Sequence, residues 1–217
     1  MTIKINLKIF LFAIIFYITK QIHIYAMIML FAFFHEMGHL LCGIIMGLKP
    51  KALKIMPMGL SIEFEVTPEE YNQKIAKANK LQMKKLWIAL AGPFTNVIIT
   101  VIAFVFRNHI NQTIYPELIY SNILIAVFNL LPIYPLDGAR ILKACIYIFK
   151  GRKKAGEITN YISNISVILL TMLSSIAIYY YENIAILFVI TYLWVMVVIE
   201  NRKYKLQKRI DKIIENS

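Results

Sequence analysis

Charge is scarce in this chain, and acidic charge is the scarcer kind: 17% of its 217 residues are charged, 24 basic against 12 acidic. With 59% of the residues hydrophobic, this is too apolar for an ordinary soluble domain and reads as an integral membrane protein. Cysteine is nearly absent. Cys42 and Cys145 both lie in apolar stretches, so no disulfide framework can be read and each is a small packing residue. The four histidines are too few for a desaturase-type di-iron site. His23 and His109 have no spaced partner and read as surface residues near the outer interface. No internal repeat or Pro/Gly/Ser-rich linker divides the chain, which favours one membrane domain over 1–200, with a basic cytosolic tail over 201–217. No small-residue cleavage pattern follows the apolar run behind Lys4 and Lys8, so the first apolar segment is expected to stay as an uncleaved span.

Long apolar runs are what the chain does have. Six candidate spans lie at about 6–19, 22–47, 87–106, 117–134, 160–180 and 183–200, most of them near the ~20 residues that cross a bilayer. Their expected architecture is an all-α polytopic membrane protein of six transmembrane helices, the fourth broken, with a short β-strand in the 48–66 loop. The net charge of +12 does not point to nucleic acid, because the basic residues sit in the connections between apolar runs. Eight lysines fall across 49–85, four basic residues at 150–154 and six in the tail, against Lys20 and Arg107 in the outer connections. That asymmetry predicts six crossings with both termini cytosolic and the basic segments facing anionic headgroups of the lipid bilayer.

The loop after the second span has structure of its own. Leu60 to Val66 alternates apolar and polar residues after Pro57-Met58-Gly59, which predicts a strand behind a turn. Thr67-Pro68-Glu69-Glu70 is a helix-start signature. Lys74, Lys77, Lys80, Lys84 and Lys85 follow, and the helix they mark is expected to lie on the inner leaflet.

Inside the second run stands His35-Glu36-Met37-Gly38-His39. Two imidazoles and a carboxylate in an apolar helix are costly to bury and need a partner. Positions 35 and 39 are one turn apart and face the same way, the spacing at which two imidazoles share one metal ion. Glu36, on an adjacent face, can take a proton from a water at that metal.

A second polar cluster appears far along the chain, Asn129-Leu130-Leu131-Pro132-Ile133-Tyr134-Pro135-Leu136-Asp137-Gly138. Two prolines break the span where a carboxylate appears, and such a break is tolerated only against protein or a water-filled cavity. Asp137 needs a partner, and the histidine pair needs a third ligand. Two imidazoles and a carboxylate leave the open position that catalytic zinc requires. Other readings stay open here. Asp137 could form a helix-breaking turn and pair with Arg140, Cys42 could complete a His/His/Cys site, and Asn129 and Asn96 could be structural amides or oxyanion donors. Glu157, Glu182 and Glu200 are late glutamates of the kind another zinc protease class uses as third ligand, but none lies in a broken span. A non-proteolytic metal-binding protein or metal transporter would use the same ligands without needing Glu36.

The pairing of His35-Glu36-Met37-Gly38-His39 with Asn129, Pro132, Pro135 and Leu136-Asp137-Gly138 resembles the site-2-protease family of intramembrane zinc metalloproteases. Ala91-Gly92-Pro93-Phe94-Thr95-Asn96 also looks like an element of that family, and the resemblance covers roughly 22–150, the protease core. It implies one zinc ion on His35, His39 and Asp137, with Glu36 as catalytic acid/base assisted by Asn129. Gly59, Ser61, Asn96, Pro132 and Pro135 would meet a membrane-associated protein substrate. The arrangement is most similar to sporulation members of the family. This implies a precursor sigma factor (pro-sigma-K) as substrate, an inhibitory membrane protein as partner, and the mother-cell membrane around the forespore as location. The tail after Glu200 is too short for the CBS domain that some members carry.

Overall fold

The computed structural model describes residues 2–5, 7–56, 59–64, 75–182 and 185–216. They form two compact units, Met1–Leu130 and Leu131–Ser217.

The first unit contains, in order, β1 (Thr2–Ile5), α1 (Lys8–Ile18), α2 (Ile22–Ile45), β2 (Pro50–Met56), β3 (Gly59–Phe64), α3 (Ile75–Val105), a 3-10 turn at Arg107–His109 and α4 (Tyr115–Asn129). The expected strand is present as β3, and it belongs to a three-stranded sheet in the order β1-β2-β3. β2 and β3 form an antiparallel hairpin with Leu53 opposite Ile62 and Lys54 opposite Ser61. β1 joins the other edge of β2 in parallel, Thr2 opposite Ala52, so β3 is an edge strand. Gly59 and Ser61 both lie in β3. Pro57, Met58, the helix-start signature from Thr67 and Lys74 lie outside the described residues.

Two boundaries differ from the sequence expectation. α1 has 11 residues, about 16 Å of helix at 1.5 Å per residue, roughly half the ~30 Å apolar thickness of a bilayer. α3 joins the basic segment to the span after it in one helix of 31 residues. Lys, Gln, Ala, Leu and Met are all good helix formers, so the drop in charge near Trp87 does not interrupt the ladder.

Helices α2 and α3 run antiparallel and close together, with Gly38 of α2 facing Ala91 and Thr95 of α3. A methyl at Gly38 would overlap the Thr95 hydroxyl. Small residues at such a crossing let backbones approach where water gives no hydrophobic drive. Farther along α2, Gly43 leaves room for the ring of Phe64, which seats β3 against the helix.

The second unit is a pair of long helices, α5 (Asp137–Tyr181) and α6 (Ala185–Asn216). The expected span 160–180 falls within α5, and the described part of the expected span 183–200, from Ala185, lies in α6. Gly151 departs from helical geometry with φ 79 and ψ 173, a region open to glycine at little cost, and divides α5 in two. Val167, Leu193 and Val197 are buried here, Trp194 Nε1 donates to Thr171 Oγ1 at 2.9 Å, and Asn164 and Asn201 exchange amide hydrogen bonds. Between α4 and α5 the helix is broken, as the prolines predict. Tyr134-Pro135 is cis, and the Tyr134 N–H donates to Ser163 Oγ at 2.9 Å.

Among the described residues, four segments are long and apolar enough to cross a membrane: Ile22–Ile45, Asn79–Val105, Asp137–Tyr180 and Ala185–Ile210.

Candidate metal centre

His35, Glu36 and His39 are all buried on α2. One helical turn brings the two imidazoles together, with Nε2 to Nε2 at 3.2 Å and the rings nearly perpendicular at 86°. The other nitrogen of each ring is tied down. His39 Nδ1 meets the carbonyl oxygen of Ile88 at 2.5 Å. A carbonyl only accepts, so Nδ1 carries the proton and the neutral ring presents a lone pair at Nε2.

His35 reaches the same state by a longer route. Its Nδ1 is 2.6 Å from Asn96 Oδ1, Asn96 Nδ2 donates to Asn122 Oδ1 at 2.9 Å, and Asn122 Nδ2 donates to the Leu118 carbonyl at 2.9 Å. The last acceptor orients both amides, so Nδ1 of His35 is again the donor. Two Nε2 lone pairs thus face each other across 3.2 Å. Like dipoles at that distance repel, and a cation accepting from both turns the repulsion into two bonds. This donor set fits zinc, whose histidine ligands are held by a hydrogen bond from the other ring nitrogen.

The remaining wall is Gly92 of α3. A methyl there would overlap Nε2 of both rings and Cε1 of His39. Pro93 follows inside the helix and has no N–H for the carbonyl one turn back, so the ladder is weakened beside the Ile88 carbonyl that His39 uses. These contacts explain Ala91 to Asn96 physically: Gly92 admits the rings and Asn96, fully buried, orients His35. The oxygen of Asn96 is engaged by His35 and its nitrogen by Asn122.

Glu36 Oε2 is 3.9 Å from His39 Nε2. Its Oε1 accepts the backbone N–H of Ile62 at 2.6 Å, so the N–H of Ile62 points away from β2. Asn129 ends α4, and its Nδ2 donates to Ile125 O at 3.0 Å, which leaves the amide a second hydrogen.

In the second unit Asp137 begins α5 and is 4% exposed. The positive end of the helix dipole favours a carboxylate there. Its Oδ1 is 3.4 Å from Arg140 Nη1, so the contact with Arg140 raised by the sequence is present. Pro132 and Pro135 lie in the irregular segment before it. Within the first unit, His35 and His39 are the described ligand-type side chains placed to share a metal ion, and Cys42 does not join them.

Peptidase family M50 matches this chain over residues 23–112 and 107–173. A zinc metalloprotease of Methanocaldococcus jannaschii is 29% identical over 130 residues, covering 57% of this chain and 34% of that protein. Stage IV sporulation protein FB of Bacillus subtilis is 25% identical over 117 residues, covering 53% of this chain and 37% of that protein. The chain thus spans about a third of the length of the curated relatives it matches. The solved structure of a site-2 protease from Methanocaldococcus jannaschii shares the fold, with a TM-score of 0.66 at 21% identity over 91% of this chain and 89% of that one.

Proposed function

The chain belongs to peptidase family M50, and from that premise we propose that it is an intramembrane zinc metalloprotease acting on a membrane-associated protein. It is an integral membrane protein. The observation that carries the reading is the pair of Nε2 lone pairs facing each other at 3.2 Å beside a buried glutamate. His35 and His39 would hold the ion, and the buried carboxylate of Asp137 would be its third ligand. The family match runs across the boundary between the two units, to residue 173, in support of a single peptidase domain.

The chemistry a bound zinc supplies is Lewis acidity, bringing the pKa of a water toward about 7 and polarising a carbonyl oxygen. Glu36 accepts the proton of the attacking water and returns it to the leaving amine. Asn129 is the better placed of the two candidate oxyanion donors, because one of its amide hydrogens is not used on Ile125, whereas the amide of Asn96 serves His35. Such a donor gains strength where water is excluded.

A helical substrate buries its carbonyls in its own ladder and must unwind before it is cut. The edge of β3 away from β2, where the Ile62 N–H rests on Glu36, suits a substrate added as a strand, through main-chain hydrogen bonds with little sequence demand. Gly59 and Ser61 belong to that strand, and Pro132 and Pro135 shape the break that precedes Asp137. We read the topology as six crossings with cytosolic termini from the distribution of basic residues. The likeness to stage IV sporulation protein FB supports a precursor sigma factor as the substrate, with an inhibitory membrane protein as regulator and the mother-cell membrane as the site of action.

The test is zinc content and cleavage of a co-expressed precursor sigma factor in wild type, Glu36→Gln and Asp137→Asn. Glu36→Gln should keep zinc and lose cleavage by about 10²–10⁴-fold, while Asp137→Asn should lose both. Cleavage that survives Glu36→Gln refutes the mechanism. Cleavage of other membrane proteins with the sigma precursor left whole refutes only the sporulation substrate.

A further inference from the structure

Asn122 is fully buried in the apolar helix α4, two hydrogen bonds away from the histidine pair. A primary amide buried in so apolar a helix is costly unless its hydrogen-bonding groups are satisfied. Asn122 has two partners of unequal kind: Leu118 O, which can only accept, and Asn96, which can turn either way. The first decides the second. With Nδ2 bound to Leu118, Oδ1 of Asn122 faces Asn96, so Asn96 must present its nitrogen to Asn122 and its oxygen to His35. Without that constraint Asn96 has no fixed sense. It could rotate and offer nitrogen to His35, which would place the ring proton on Nε2 and close the ligand position.

We infer that Asn122 is a positioning residue of the metal centre, fixing through Asn96 the His35 tautomer that presents Nε2 to zinc. The inference rests on the reading of His35 as a zinc ligand. His39 has a separate control, the Ile88 carbonyl, so the two imidazoles are set by independent devices. A change at Asn122 therefore acts on one ring and leaves the other alone.

The experiment uses the purified full chain in detergent. Zinc affinity is measured by chelator competition, and the tautomers of the metal-free protein by nitrogen NMR of labelled histidine, for wild type, His35→Ala, Asn122→Leu and Asn122→Asp. In wild type both His35 and His39 should carry the proton on Nδ1. Asn122→Leu should release His35 to a mixture of tautomers, leave His39 unchanged and weaken zinc binding by about 10–100-fold, the usual range for residues that orient a ligand. Asn122→Asp, whose carboxylic acid donates to Leu118 and accepts from Asn96 as the amide does, should stay within about threefold of wild type. His35 protonated on Nε2 in wild type overturns the inference whether or not any variant folds. So does Asn122→Leu with wild-type zinc affinity, or with both rings altered together, which would mark a packing role. Zinc bound equally by His35→Ala would instead sink the ligand reading beneath it.

Discussion

Gly92→Ala adds one methyl at the point where α3 meets both imidazoles. That methyl would overlap ring atoms of His35 and His39, and relief to ordinary contact near 3.5 Å needs a displacement of roughly 1 Å. The rings have little freedom to move, since each Nδ1 is anchored and both project from one helix. Metal–ligand distances tolerate only about 0.2 Å. Loss of an orienting residue alone costs 10–100-fold in affinity, so direct displacement should weaken zinc binding by at least 100-fold, about 2.7 kcal/mol. The effect on folding is smaller, because overpacking costs about 1–3 kcal/mol and alanine recovers roughly 0.5–1 kcal/mol over glycine in a helix. The expected variant is therefore folded, helical and poor in zinc. Chelator competition alongside thermal unfolding of the metal-free protein separates the two effects. Zinc affinity within threefold of wild type would refute the geometry drawn for α2 and α3.

Other expectations are narrower. Leu60→Pro removes an N–H that alternation along β3 points away from β2, as that of Ile62 does. Proline is tolerated on an open edge, so zinc should stay bound while cleavage falls at least tenfold, and an unchanged cleavage rate counts against strand addition. Asn201→Leu breaks the amide pair with Asn164 and should lower thermal stability by about 0.6–2 kcal/mol, with zinc affinity untouched. An affinity change there would show that the pair does more than join α5 to α6.

The parts of the fold that were legible from sequence rest on local periodicity. His35 and His39 share a face because of the helical repeat, β3 follows from two-residue alternation, and the break before Asp137 follows from two prolines. What escaped was non-local. β1 is four residues, Thr-Ile-Lys-Ile, next to an apolar run, and its parallel partner lies some 50 residues away, where no local pattern reports it. Gly151 separates two stretches that each read as helix or basic loop, and only its φ reveals how they join. Asn122 stands inside Ser121-Asn122-Ile123-Leu124 with no spaced partner in the sequence to single it out. The rule that exposes His35 applies to it as well, namely that a polar group buried among apolar residues has a partner, although which partner depends on how α3 and α4 meet. For Asn96 the sequence allows both an oxyanion donor and a packing amide, since spacing alone cannot say which nitrogen of which histidine it faces.

The bond from Ile62 to Glu36 has a bearing on selectivity. At rest, the carboxylate proposed to move protons is already occupied by a main-chain hydrogen of the strand beside it. Along the body of an intact helix of a neighbouring protein every backbone acceptor is engaged in its own ladder, so that stretch leaves the glutamate engaged. A frayed or extended segment laid along β3 does compete, and in pairing it would hand the glutamate back for chemistry. Discrimination among the many helices in a bilayer would then depend on how readily each one unravels rather than on which side chains it carries.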